Sequence, residues 1–192
     1  MKPKTSFLLL FAVFGIGLFA LNLKVFPLGV DYHYFFYRAL EEWRQGHPIY
    51  TLDYEYYNPP WTLLFLEIFA WLGKKGGQAG LLLLTFAILL QSWQRFSTNG
   101  YSKAWSLAII LFNLHLVDLW LRGQIDGIIL GGVLLMYVGL RRSNAYLLGA
   151  GWTLALIRPT SIYLIGIYSI WLAYQQKQLW KALIIPVTTL IL

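Results

Sequence analysis

A few charged residues at the edges of long apolar runs are the candidates for chemistry in this sequence. Asp31 directly follows the first apolar run and opens the longest polar stretch of the chain, residues 31–61. A carboxylate at this position has two interpretations. It caps the helix that follows, or it acts as a general base that removes a proton from an acceptor hydroxyl. The spacing of the residues leaves both interpretations open.

Two further acids lie near the edges of later apolar runs. Asp118 precedes Arg122 by four residues, which is the spacing of an ion pair on one helix face, and we favour that structural role for it. Asp126 follows Gly123 and Gln124 at a break between apolar runs. A carboxylate there suits either a helix cap or a site for hydroxyl-rich or anionic ligands.

Arg158 interrupts an apolar stretch, and a lone arginine in such a place needs a partner. Three partners are open: a phosphate, whose oxygens match the guanidinium fork, the lipid head groups, or an acid such as Asp126. The three histidines lack metal-ligand spacing, and Asp31 with His33 supplies only two ligands. We therefore predict neither a metal nor a cofactor.

The elements that must position these residues are membrane helices. Hydrophobic residues make up 58% of the 192-residue chain and charged residues only 12%, too few to cover a soluble fold. Several windows approach the roughly 20 apolar residues that cross a bilayer. The net charge of +7 is scattered singly or in pairs, as in loop anchors, so nucleic acid is not an expected partner. The predicted fold is an all-α polytopic membrane protein forming one transmembrane domain.

The predicted topology has about seven transmembrane helices. Residues 5–26 form a signal anchor with its N-terminus inside. Residues 27–77 form an extracytoplasmic loop with interfacial helices at 32–45 and 61–72, the second being short for a span. The remaining spans are 78–93, 104–121, 127–140, 144–157, 161–174 and a last run that reaches the end of the chain.

This topology leaves basic loops inside, as the positive-inside rule expects. It also places Asp31, Asp126 and Arg158 on the same extracytoplasmic face. Because the chain ends within an apolar run, we expect it to be an N-terminal fragment of a longer membrane protein.

Asp31 opens the polar stretch after the first predicted span, a G-x-P-x-Y motif follows at residues 46–50, and Y-x-P-P follows at residues 57–60. This order of short motifs resembles the GT-C superfamily of lipid-linked-sugar glycosyltransferases. It is most similar to glycosyltransferase family 87, the polyprenol-phosphate-mannose-dependent mannosyltransferases, and the layout also resembles protein O-mannosyltransferases. The segment 123–126 resembles a G-Q-x-N motif, with Asp126 in place of Asn, and Arg158 stands where the family usually has lysine before proline. The other matching pieces are Asp31, Tyr34, Tyr37, Gly46, His47, Pro48, Tyr50 and residues 57–60.

The resemblance implies a metal-independent, inverting transfer of a hexose such as mannose from a polyprenyl-phosphate donor to a hydroxyl on a glycan, lipid or protein. Asp31 would be the base, Arg158 would stabilise the leaving phosphate, and Gln124 and Asp126 would position the sugar or phosphate. The enzyme would lie in a bacterial plasma membrane with its site outside. Further candidates for donor binding are Tyr34, Arg38 and Tyr57.

Two other classes of function remain open at this stage. In a transporter or lipid flippase, Asp118, Asp126 and Arg158 would line a path near the middle of the membrane. In a non-catalytic truncated relative, only the fold would be kept. An enzyme requires Asp31, Asp126 and Arg158 to cluster at one membrane surface.

Overall fold

The computed structural model describes residues 5–50, 56–96, 118 and 121–191. Every regular element in these ranges is helical, which confirms the all-α fold class. The α-helices are α1 (Thr5–Lys24), α2 (Arg38–Arg44), α3 (Trp61–Ala70), α4 (Gly73–Phe96), α5 (Asp126–Arg141), α6 (Ala145–Ala155), α7 (Pro159–Gln175) and α8 (Leu179–Ile191). A π-helical segment, Asp31–Tyr37, leads into α2. The span predicted at 104–121 lies outside the described residues except for Asp118 and Leu121.

One helical stretch in the described ranges, Gly73–Arg95, is long and apolar enough to cross a bilayer by length and composition. It begins at Gly73 rather than at the predicted Gln78, because the chain continues from α3 into α4 through a short turn at Trp71 and Leu72. Lys74 and Lys75 are therefore helical and not part of a loop. The predicted number of spans stays a prediction.

Helices α5, α6 and α8 approach each other closely through glycines. A Cβ atom on Gly132 of α5 would lie 2.7 Å from the backbone nitrogen of Ala155 in α6, and one on Gly151 of α6 would lie 2.6 Å from that of Met136 in α5. A Cβ atom on Gly149 of α6 would collide with the backbone carbonyl oxygen of Ala182 in α8. Close approach over small residues is the packing that membrane helices commonly use.

Ionic contacts tie α2 to α3 in the polar stretch. Arg44 donates two nitrogens to the Glu67 carboxylate at 2.7–3.2 Å, and Trp71 Nε1 donates to the same carboxylate at 3.0 Å. The pairing with Arg44 holds the pKa of Glu67 below its usual value. The described part of the polar stretch, residues 31–50 and 56–61, is therefore a folded layer held against α3.

The many aromatic residues in 32–61 predict either stacking on sugar rings or an interfacial belt, and the belt is favoured for most of them. In the structure these side chains divide into two groups. Tyr32, Phe36 and Tyr56 are buried in the core, and the belt interpretation is wrong for these three. Trp43, by contrast, is 42% exposed. The aromatic residues of the layer thus supply core contacts as well as surface.

Candidate active site

The segment that leaves α1 is fixed by Gln78, near the start of α4. The Gly29 backbone N–H donates to Gln78 Oε1 at 2.8 Å, and Gln78 Nε2 donates to the Pro27 carbonyl at 3.3 Å. Gln78 is only 1% exposed, and a buried amide side chain needs such partners. These two bonds set the position from which the chain enters Asp31.

Three glycines bring this segment against its neighbours. Gly29 packs so tightly on the Arg122 carbonyl that a Cβ atom would collide with it, and a Cβ on Gly123 would lie 2.6 Å from Tyr32 Cβ. Gly77 leaves room for the Tyr32 hydroxyl in the same way. Gly123 has φ +70°, a left-handed conformation in which glycine is strongly favoured. The turn before α5 therefore lies directly against the 29–32 segment.

Tyr32 is the side chain around which these contacts are arranged. It is fully buried, and burial raises the pKa of its phenol, so the group stays neutral. Its hydroxyl has no hydrogen-bond partner among the described residues. Sequence reasoning missed both Tyr32 and Gln78 as determinants of the site, because neither carries a local signal that separates it from a belt tyrosine or a polar helix start.

The partly buried Asp31 carboxylate accepts a hydrogen bond from Gln124 Nε2, across 93 positions of sequence. The helix-cap interpretation of Asp31 is wrong, because Val30 occupies the N-cap position and the segment has no side-chain cap bond. The other amide atom, Gln124 Oε1, is buried and has no partner in the described part of the chain. Its hydrogen-bonding capacity is therefore unfilled within the described residues.

The electrostatic surroundings of Asp31 act in opposite directions on its pKa. Burial raises the pKa of the Asp31 carboxyl above its ordinary value, and the nearby charges of Asp118 and Asp126 add to this effect. The guanidinium groups of Arg122 and Arg158 lower it, but the net shift is upward. A carboxylate with a raised pKa is a stronger base than an ordinary aspartate.

A salt bridge joins the starts of α5 and α7. Arg158 Nη1 donates to Asp126 Oδ1 at 2.9 Å, so the acid is the partner that the structure gives to this arginine. Asp126 is the first residue of α5 and is not its N-cap, which is Ile125. The bond occupies one of five guanidinium donors, and the side chain is 40% exposed. Donors of Arg158 therefore remain for an anion.

The ion pair predicted from the four-residue spacing is present. Arg122 Nε donates to Asp118 Oδ1 at 2.8 Å on the exposed surface, which confirms the structural interpretation of Asp118. The three carboxylates and two guanidinium groups described above lie near one another, with the Gln124 amide among them. We call the set Asp31, Asp118, Arg122, Gln124, Asp126 and Arg158 the charged cluster.

The three further residues predicted to bind the donor have exposed side chains. Tyr34 is 57% exposed and makes an edge contact with the His33 ring at 4.7 Å between centroids. Arg38 is exposed at the start of α2, and Tyr57 is 84% exposed. Within the described residues, no hydrogen bond or ring contact connects Tyr34 or Tyr57 to the cluster. Their roles stay predictions.

The charged cluster brings a carboxylate, a partly buried amide and a guanidinium together at one end of the helix bundle. The described residues contain no group of three or more His, Asp or Glu that could hold a metal ion. Proton transfer and stabilisation of an anion are the two chemical tasks that these side chains can perform.

Comparisons of the chain with protein-family models, with curated proteins and with solved structures found no match. The class that the structure defines is an all-helical protein with a charged cluster where several helix ends meet. A more particular assignment is a matter of proposal.

Proposed function

We propose that this chain is a polytopic membrane glycosyltransferase of the GT-C type. It would move a hexose, mannose in the first instance, from a polyprenyl-phosphate donor to an acceptor hydroxyl. The observation that carries the proposal is the contact between Asp31 and Gln124, beside the Asp126–Arg158 salt bridge. Residues from three distant parts of the sequence thereby surround one carboxylate.

The base in this reaction is Asp31. Its carboxylate takes the proton of the acceptor hydroxyl while the hydroxyl oxygen bonds to the anomeric carbon of the donor sugar. The bond from that carbon to the phosphate oxygen breaks, and its electron pair leaves with the polyprenyl phosphate. Attack and departure occur on opposite faces, so the anomeric configuration inverts. The raised pKa of Asp31 supports this role, because proton transfer favours a base that titrates nearer to the working pH.

The leaving group is a phosphate, and Arg158 stabilises the negative charge that develops on it. The guanidinium keeps donors beyond the one given to Asp126, and Asp126 fixes its orientation. Preoriented donors stabilise developing charge because they need not reorganise during the reaction. Gln124 holds Asp31 with its amide nitrogen and offers its buried Oε1 to a sugar hydroxyl.

The location of the cluster supports an enzyme over a transporter. Asp31 follows the end of α1, Asp126 begins α5, and Arg158 directly precedes α7. Helix ends lie at a membrane surface when the helices span, whereas a translocation path needs charges near the middle of the membrane. The high apolar content of the chain supports a donor that is delivered through the lipid.

Reconstitution into liposomes tests this function. Purified protein is given polyprenyl-phosphate mannose with a radiolabelled sugar and octyl mannoside as the acceptor. The proposal predicts a labelled octyl disaccharide and the release of polyprenyl phosphate, with no product from GDP-mannose. Movement of the labelled donor across the bilayer without a new glycosidic bond would instead support a flippase.

A further inference from the structure

An apolar groove runs between α5 and α7 at the end of the bundle remote from the charged cluster. Its volume is about 440 Å³, within the range of roughly 300–1,000 Å³ that is usual for ligand sites. Val133, Met136 and Leu140 of α5 form one wall, and Ile165 and Leu172 of α7 form the other. Both helices start at the Asp126–Arg158 pair, so they run in the same direction towards the groove.

The outer side of α7 is also apolar and unpartnered in the described structure. Its exposed side chains include Leu164 at 66%, Ile167 at 64% and Trp171 at 52%. An apolar surface of this kind faces lipid when the helix lies in a bilayer. The groove therefore opens beside a surface that acyl chains would cover.

Basic groups gather at the end of the groove. Arg141 is part of its lining, and its guanidinium lies 5.6 Å from the centre of the Tyr137 ring, a cation–π distance that holds it at the rim. Arg142 follows as the exposed cap of α5, and Lys177 follows the lining residue Gln176. None of these bases forms a salt bridge with another described residue.

The sequence carries this imbalance further. All eight acids lie at or before Asp126, so the remaining 66 residues, 127–192, contain bases without any acid. Arg158, in this range, pairs with Asp126 at the other end of the bundle, whereas no salt bridge within the described residues neutralises Arg141, Arg142 or Lys177. The inner leaflet of a cell membrane is negative because of its anionic lipids, and basic pockets between helices on that side bind such head groups.

We propose that the groove between α5 and α7 holds an acyl chain of an anionic phospholipid whose phosphate contacts Arg141 and Arg142. Charge complementarity selects the head group, and the apolar walls accept the chain. The proposal rests on the membrane location given above but not on sugar transfer. Its test measures lipid binding, so it can fail while the transferase holds, or hold while the transferase fails.

Native mass spectrometry of the delipidated protein in detergent provides the test. The protein is titrated with dioleoyl-phosphatidylglycerol and, separately, with dioleoyl-phosphatidylcholine. One phosphatidylglycerol molecule should bind roughly tenfold more tightly than phosphatidylcholine. Each base near an anionic lipid surface raises the affinity by about tenfold or less. Equal affinities for the two lipids would overturn the proposal.

Two variants locate the binding. R141Q/R142Q should remove the preference for phosphatidylglycerol, and the control K24Q/K75Q, with the same loss of charge at the opposite end of the bundle, should keep it. Leu172→Trp narrows the groove and should weaken binding of both lipids. An unchanged preference in R141Q/R142Q, or unchanged affinity in the Leu172 variant, would contradict the proposed seat. So would glycerol 3-phosphate binding as tightly as the lipid, because no chain would then be needed.

Discussion

Gln124 donates a hydrogen bond to Asp31, and this contact joins the segment after α1 to the turn before α5. The two residues are 93 positions apart, so no local preference brings them together. Tight packing does so: Gly123 lies against Tyr32, and Gly29 lies against Arg122. The backbone packing of both segments therefore holds the Gln124 amide beside the Asp31 carboxylate.

Replacing Gln124 by leucine should slow sugar transfer by roughly 10- to 100-fold. A hydrogen bond to a charged group contributes about 1.5–3 kcal/mol, and each 1.36 kcal/mol is about a factor of ten in rate. Gln45→Leu, an exposed glutamine of the same polar layer, is the control and should retain the wild-type rate. Single-turnover rates in liposomes measure both. Equal rates for the Gln124 variant and wild type would remove this residue from the site.

Gly123→Ala should destabilise the protein more than Gly46→Ala. Both glycines have a left-handed backbone, with φ +70° and +74°. A Cβ atom at position 46 meets nothing within 4 Å, so that variant costs about 1–2 kcal/mol of backbone strain alone. At position 123 the Cβ also collides with Tyr32, 2.6 Å away.

The melting temperature and the sugar-transfer rate are measured for both glycine variants. The alanine at position 123 should lower the melting temperature further and should also reduce transfer, because the Asp31–Gln124 contact depends on this turn. If the two variants lost the same stability and both kept full activity, the tight packing at Tyr32 would be unimportant.

Gln78→Leu should loosen the segment that carries Asp31. It removes two side-chain bonds to the backbone of Pro27 and Gly29 inside a buried region, at a cost of about 2 kcal/mol. Hydrogen exchange of residues 28–33 should accelerate, while exchange in α6 stays near the wild-type rate. Gln175→Leu at the exposed end of α7 is the matched control. Unchanged exchange at 28–33 would show that Gln78 does not hold the segment.

The sequence predicted the parts of this arrangement that depend on local spacing or on composition. The Asp118–Arg122 pair follows from the helical repeat, and the all-helical class follows from the long apolar runs. The placing of Asp31 near Gln124 and Asp126 came from topology and from the order of motifs. Contacts of this range are decided by packing, which a single sequence shows only indirectly.

The remaining features could not be predicted because their signals are non-local. Gln78 stands among glycines and lysines, and only the folded chain shows that its amide meets the backbone after α1. In the sequence nothing distinguishes Tyr32 from the neighbouring tyrosines. Only the folded chain shows that Gly77 and Gly123 leave the space that its side chain occupies. The predicted start of this span, Gln78, lies after the observed start of α4 at Gly73, because Lys74 and Lys75 favour a loop in the sequence.

Asp31→Asn should stabilise the fold increasingly as the pH rises. The folded pKa of Asp31 lies above the ordinary 3.8, because of its burial, so the folded state binds the proton more tightly than the unfolded state does. Stability of the wild type therefore falls as pH rises from about 3.8 through the folded pKa. The amide does not titrate, so the difference in melting temperature should favour the variant at neutral pH and shrink near pH 4. A difference that is constant with pH would contradict a raised pKa.

Arg158→Gln and Arg122→Gln should separate electrostatic tuning from leaving-group stabilisation. Both arginines lower the pKa of Asp31, so either change should raise that pKa and move the acid limb of the rate–pH profile to higher pH. Only the loss of Arg158 should also lower the plateau rate, because Arg158 is assigned to the phosphate. If the plateau rates of the two variants were equal, that assignment would be wrong.

The central claim is that Asp31 is the base of a sugar transfer, and the transfer rate of Asp31→Asn tests it most directly. The asparagine keeps the size of the side chain and an oxygen that can accept from Gln124, but it cannot take the proton. Glu42→Gln makes the same chemical change at a carboxylate that contacts the His47 ring, with 2.7 Å between Glu42 Oε2 and His47 Nδ1, and is the control. In liposomes with polyprenyl-phosphate mannose and octyl mannoside, the account predicts that the Asp31 variant is folded and forms no disaccharide while the Glu42 variant matches wild type. Disaccharide formation at the wild-type rate by Asp31→Asn would contradict it.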